Sequence, residues 1–259
     1  MDTIAQPPTT LEGWYASHQA FAIDRHAMRA RPATALRTDR CVAGAVLAAM
    51  SQPPDGGWSA VVSLVGSLAD VLLIHLRPTL EALGAAEREV ARLGLLDCFR
   101  PAYAFLSVTE VGLYHLPDLP VEELTDRIRA ERESEHTQRR LFPLLPAEMP
   151  YVSFYPTSKR RDAVENWYTL ALKERCELMR RHGLTGRRHA GQVRQIITGA
   201  IGFDRWEWGV TLFAADPLEL KRVVTDMRYD EVSAKYADFG EFFVGRVADP
   251  RDWALTVGT

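Results

Sequence analysis

Residues 58–94, WSAVVSLVGSLADVLLIHLRPTLEALGAAEREVARLG, read as two strands and a helix in direct succession. Trp58 to Val65 and Asp70 to Leu76 are rich in Val and Leu and are separated by Gly66-Ser67, a turn signal. Pro78-Thr79 opens a helical pattern, Leu80-Leu83-Ala86-Val90-Leu93, that stops at Gly94. Before this core, Trp14 to Ile23 reads as a strand, and Asp24 to Met50 as a helical segment interrupted at Pro32. After it, Ala102 to Val111 is a further strand. The order is β-α-β-β-α-β, the ferredoxin-like pattern of an antiparallel sheet with helices on one face.

The second half repeats the order. A strand at Tyr151 to Tyr155 leads to a helix from about Trp167 to Arg181, with Gly183 as its expected C-terminal stop. Strands follow at Val193 to Thr198 and Trp208 to Phe213. Asp216-Pro217 is an N-cap and first-turn pair that starts a helix carrying Leu218, Val223, Val224 and Met227, and Glu241 to Val247 supplies a last strand. The junctions Leu76-Arg77-Pro78 and Ala215-Asp216-Pro217 fall at equivalent places. The expected fold class is α+β, with two duplicated ferredoxin-like units: an N-terminal domain at 1–116, a charged linker at 117–149, partly helical and bracketed by prolines, and a C-terminal domain at 150–259.

A formal net charge of −3 argues against a general nucleic-acid binder. Cys41, Cys98 and Cys176 are odd in number and match neither a disulfide framework nor a zinc pattern, which points to a reducing cytoplasm. The N-terminus shows no basic region followed by an apolar one, and runs such as Val71 to Leu76 are too short for a bilayer. The expectation is a cytoplasmic protein with no membrane or nucleic-acid partner. No Gly-x-Gly-x-x-Gly, Walker loop, Gly-x-Ser-x-Gly or His-Glu-x-x-His motif is present.

Chemistry concentrates between residues 151 and 191. Tyr155 and Lys159, Trp167 and His182 lie in one strand-plus-helix unit. An oxidisable phenol, a cation for carboxylates and an imidazole able to ligate iron are the parts needed for redox work on an anionic porphyrin. Each part also has a plainer reading by position. His182 lies near the end of a helix whose apolar stripe is Tyr168, Leu172, Cys176 and Met179, where an imidazolium would favour the helix dipole. His189 lacks further ligands at zinc spacing. Lys159, Arg160 and Arg161 are a solvated strand edge or an anion clamp, with Pro156 bending the chain between Tyr155 and Lys159. Trp167, Tyr168, Trp206 and Trp208 read as core aromatics. Gln195 is a lone amide on an apolar strand, either satisfied by backbone or aimed into a cavity.

Taken together, Tyr155-Pro156-Thr157-Ser158-Lys159-Arg160-Arg161, Asn166-Trp167-Tyr168, His182-Gly183, Gln195, Trp206-Glu207-Trp208-Gly209-Val210 and the run from Met227 to Ala234 resemble the chlorite-dismutase-like superfamily. Within it they resemble the branch that decarboxylates iron-coproporphyrin III (coproheme). The resemblance is close over about 150–247 and looser before. It implies a dimeric α+β barrel built from the two units within one chain, a ring-shaped homopentamer, coproheme as substrate and haem b as product, hydrogen peroxide as oxidant, and a transient contact with the iron-inserting ferrochelatase. It also implies His182 as proximal iron ligand, Tyr155 as the redox-active tyrosine, and Lys159 as a propionate partner with a proton role. Trp167 matches a tryptophan on the propionate side, Gln195 the distal amide, Ser233 a propionate hydrogen-bond donor, Arg140 a linker arginine and Tyr114 a propionate-contacting tyrosine. Many relatives have methionine where this chain has Thr157. A chlorite-decomposing enzyme would carry a distal arginine in place of Gln195. A non-catalytic haem carrier or sensor would need His182 and the anion clamp but not Tyr155.

Overall fold

The computed structural model describes residues 7–116 and 121–258. In the first half, β1 (Thr10–Ile23) is followed by α1 (Arg25–Ala30) and α2 (Ala33–Met50), then β2 (Trp58–Leu64), β3 (Val71–Arg77), α3 (Leu80–Ala91) and β4 (Phe99–Gly112). Pro32 separates α1 from α2, as its missing N–H and fixed φ require, and Thr79 caps α3 by accepting the Ala82 N–H. The linker segment holds α4 (Val121–Glu133) and α5 (Glu135–Leu141). The second half contains β5 (Tyr151–Lys159), α6 (Leu172–Arg187), β6 (Val193–Gly199), β7 (Trp208–Ala214), α7 (Pro217–Arg228), α8 (Glu231–Tyr236), β8 (Ala237–Phe239), β9 (Phe243–Ala248) and α9 (Pro250–Thr256).

Strand order is β4-β1-β3-β2 in the first half and β6-β7-β5-β9 in the second, so the two units have the same antiparallel topology. They join edge to edge twice, β2 with β9 and β4 with β6. Because β7 also pairs with β5, the sheet closes into a barrel and leaves the short β8 as an appendage on β5. Closure removes the free edges that each unit would expose alone. At the β2–β9 seam a Cβ on Gly245 would lie 2.1 Å from the Ser63 carbonyl oxygen, so the seam needs glycine there.

Strand alternation sorts side chains into two layers. Ala16, Val62, Leu72, Ile74, Phe105, Phe154, Ile196 and Phe213 fill the barrel interior. Helices cover the outer face: α2, α3 and α9 over the first half, α7 over the second.

Several boundaries differ from the sequence reading. Trp167 starts a short 3-10 turn capped by Asn166 rather than the long helix, which begins at Leu172. Gly183 does not end α6: its φ is not positive, and the chain turns instead after His189, with φ of 83° at Gly191. Pro156 does not bend the chain. β5 runs through it at the point where its neighbour changes from β9 to β8, and the Pro156 carbonyl there accepts the Gly240 N–H at 2.9 Å. The last strand begins at Phe243, two residues later than expected.

Candidate functional site

The outer face of the second sheet carries Tyr155 beside Val210 and Ile197 in one row, and Ser153 beside Leu212 and Gln195 in the next. Tyr155 is buried, stacked on Phe242 with ring centres 4.4 Å apart. Burial pushes its phenol up to about 12, and the nearby Arg228 guanidinium offsets part of that rise, so at neutral pH it is a protonated phenol. Gln195 is exposed rather than the buried amide considered from sequence. Thr157 donates from its hydroxyl to the Asp238 carbonyl at 2.7 Å.

α6 carries His182. The helix packs chiefly on α7 and α8 rather than on the sheet. Its inward stripe is Arg175 and Leu178, both buried, followed by the half-buried His182; Cys176 and Met179 are only partly covered. His182 Nδ1 lies 2.8 Å from Asp230 Oδ1. The same carboxylate caps α8 by accepting the Val232 N–H. Burial pushes the Asp230 carboxyl up, but the His182 hydrogen bond and charge and the backbone N–H groups of α8 outweigh it and hold Asp230 below the ordinary carboxylate range. An ionised Asp230 can only accept, so Nδ1 donates and the neutral imidazole keeps its lone pair on Nε2, the state in which a histidine binds a metal. A Cβ built on the adjacent Gly183 would meet nothing within 4 Å.

The polar flank is continuous with this helix. Trp167, 1 % exposed, packs with Leu178, Val232, Met179 and Tyr114, and its ring faces the Lys159 ammonium at 4.4 Å from the ring centre. Burial pulls the Lys159 ammonium down to about 8, against the opposing pull of Asp230 and Glu207. Burial also pushes the Tyr114 phenol up to about 12. Ser233 is buried in α8 next to Val232. The structure thus brings together His182, Lys159, Trp167, Tyr114 and Ser233, and sets Tyr155 and Gln195 on the neighbouring sheet face. Arg140 is exposed in the last turn of α5, which packs on β1 and β4, and no described contact links it to the others.

Sequence reasoning missed three groups. Asp230 was quoted only as part of a run, although an Asp opening a helix signals a cap whose carboxylate can also serve a neighbour. Buried Arg175, close enough to Tyr114 to lower its phenol's pKa, looks like any exposed helix arginine in sequence. Glu207, buried against β5, stands in the sequence only within the run Trp206 to Val210, where nothing marks it as buried.

Among the described residues no three His, Cys, Asp or Glu side chains come together as a metal cage, and no helix is long and apolar enough to cross a membrane. The donor set fits an iron porphyrin with carboxylate arms: one braced imidazole for the iron, apolar Val193 and Ile197 beside an exposed amide for the ring, and an ammonium with hydroxyls for the carboxylates.

The chlorite dismutase family matches residues 40–248. A coproheme decarboxylase of Staphylococcus saprophyticus is 40% identical over 247 residues, covering 93% of this chain and 94% of the relative. Among solved structures, a haem-binding protein of Thermus thermophilus superposes with a TM-score of 0.87 at 37% identity, over 99% of this chain and 100% of that one. A mutant chlorite dismutase of Candidatus Nitrospira defluvii shares the fold, with a TM-score of 0.75 at 14% identity, over 96% and 97% of the two chains.

Proposed function

The chain belongs to the chlorite dismutase family, and from that premise we propose that it catalyses the peroxide-dependent oxidative decarboxylation of two propionates of coproheme to vinyl groups, giving haem b. The observation that carries this reading is His182, braced by Asp230 on a helix held off the sheet, beside a sheet face that presents Tyr155. Bound coproheme supplies both the iron at which peroxide is reduced and the propionates that are lost.

The chain's own residues do the rest. His182 Nε2 would ligate the iron, with Asp230 fixing the tautomer. Lys159, with Ser233 and Tyr114, holds propionate oxygens, and Trp167 shields the lysine from water. Arg140, exposed at the end of α5, is assigned to a propionate by the resemblance alone. Gln195, exposed on β6, would offer the porphyrin a neutral amide. Tyr155 gives up one electron and its proton, and the neutral radical takes a hydrogen atom from the propionate β-carbon, restoring the phenol. Loss of a second electron releases carbon dioxide and leaves the vinyl group. Each round consumes one propionate, one hydrogen peroxide and one proton, and yields one vinyl group, one carbon dioxide and two waters. The homopentamer, the cytoplasmic setting and the transient ferrochelatase contact belong to the same proposal and rest on the family resemblance.

The test is addition of coproheme and then peroxide, followed by chromatography of the extracted porphyrins. Haem b is expected from the unaltered chain; oxygen release from chlorite without vinyl formation would overturn the assignment. His182→Ala is expected to change the Soret spectrum of the complex, and an unchanged spectrum removes His182 as the ligand.

A further inference from the structure

Glu207 has no part in the reading above, yet it is built tightly into the end of β5. Its Oε2 accepts the Lys159 N–H at 2.6 Å, while its own N–H reaches the Thr157 carbonyl at 3.1 Å and Ser158 Oγ at 3.2 Å. Among the described residues the one cation within ion-pair reach is Arg161 at 3.8 Å, whose side chain is 65% exposed. Burying a carboxylate costs several kcal/mol unless it is well compensated, and the partners here are one backbone N–H, the neighbouring Tyr168 phenol and one long, solvated ion pair, none of which needs a full charge at the end of β5. An amide would make the same backbone hydrogen bond without that cost. What only the carboxylate adds is charge, and the nearest function for that charge is Lys159.

The Lys159 ammonium sits against the Trp167 ring, where burial favours its neutral form. The charged groups acting on it are Asp230, at the start of α8, with the larger effect, and Glu207, from the β6–β7 hairpin. Asp230 is already engaged with His182 and the α8 N–H groups. On Lys159's own segment, Arg160 is drawn away to Asp238 at 2.9 Å, and Arg161 faces Glu207. The buried Tyr168 phenol is also pushed up, first by burial and then by Glu207.

We propose that Glu207 is a positioning residue for Lys159: it fixes the strand end that carries the ammonium and supplies the negative charge that keeps it protonated in its aromatic niche. This deepens the proposed function and rests on it, because each propionate lost consumes one proton and a neutral lysine could neither hold the carboxylate nor furnish that proton.

The test is carbon-13 NMR of the ligand-free protein after reductive methylation of its lysines, Lys159, Lys173, Lys221 and Lys235, with Lys159→Arg identifying the Lys159 signal. In Glu207→Gln the Lys159 titration midpoint is expected to fall by roughly one pH unit or more while the other three stay in place. In Arg161→Ala, which removes an exposed side chain and should fold normally, the midpoint is expected to rise. An unchanged midpoint in folded Glu207→Gln overturns the proposal; if that variant does not fold, an unchanged midpoint in Arg161→Ala does so. The alkaline limb of carbon dioxide release should move with the midpoint. Because the titration uses no coproheme, it separates failure of this inference from failure of the proposed activity.

Discussion

The two halves share one topology and treat the same sheet positions in opposite ways. Val71 and Val210 each stand seven residues before the proline that opens the next helix. Across from them lie Phe21 in the first half and Tyr155 in the second. Two residues further along, Leu73 faces Val61 where Leu212 faces Gln195. In the first half these are packing residues, sealed by Leu47 of α2, Val90 of α3 and Trp253 of α9. Among the described residues the second half has no helix equivalent to α9, and its α6 packs on its neighbours instead of on the sheet. Tyr155 and Leu212 are buried with Leu220 and Val223 of α7, so the contrast lies in the side chains used and in Gln195, which is exposed where Val61 is buried. Histidine follows the same division. His18 and His75 are buried, bonded to the hydroxyls of Thr211 and Ser59, and pushed down to about 3 mainly by burial, whereas His182 and His189 each pair with an aspartate. Duplication supplies a barrel whose two outer faces can be optimised for different ends.

The largest effect should come from making the second half resemble the first. Tyr155→Phe copies Phe21, and is expected to retain coproheme binding yet lose vinyl formation by about a thousandfold or more, a barrier increase of roughly 4 kcal/mol. Vinyl formation at the normal rate, read by chromatography after peroxide, would break the comparison. Leu73→Ala, in the sealed half, should cost about 2–5 kcal/mol in urea unfolding and leave the coproheme titration unchanged. A parallel loss of binding would mean that the two faces are not independent.

Acid sharpens the same contrast. His18 and His75 protonate near their ordinary value of 6.5 in the unfolded chain but only near 3 when folded. The unfolded chain therefore binds more protons between those limits. Stability from these two groups is fully present above about pH 6.5 and is lost as pH falls toward 3, by about 2 kcal/mol per histidine at pH 5. Urea midpoints at pH 7.5 and pH 5 measure this, and replacement of His75 by Gln should remove part of the difference. The smallest effect is expected for Asp230→Asn, which keeps a cap and a partner for His182 but not the charge. Coproheme affinity should fall about tenfold, with an altered Soret band.

Most elements were legible in the sequence because they are local. Alternating or apolar runs marked the strands, and Thr79, Asp216-Pro217 and Pro32 set helix starts or breaks through hydrogen bonds and φ values fixed within a few residues. The end of α6 was misread because a glycine ends a helix only when the chain turns there, and that turn came at Gly191. α8 and α9 were missed: each is too short to show a period, and each is held by tertiary contacts, α8 beneath Trp167 and α9 against α2.

The amino-acid order by itself determined the duplication and the placing of Tyr155 on a strand and of His182 on the following helix, because periodicity and capping act over short range; that the strand runs on through Pro156 to Lys159 came from its pairing with β8. Only the tertiary structure decided which carboxylate braces His182, that Glu207 is buried against the end of the Lys159 strand, and that Arg175 is buried. These depend on residues tens of positions apart meeting in a low-dielectric interior, where a neighbour's charge or the loss of water outweighs anything that spacing along the chain can encode.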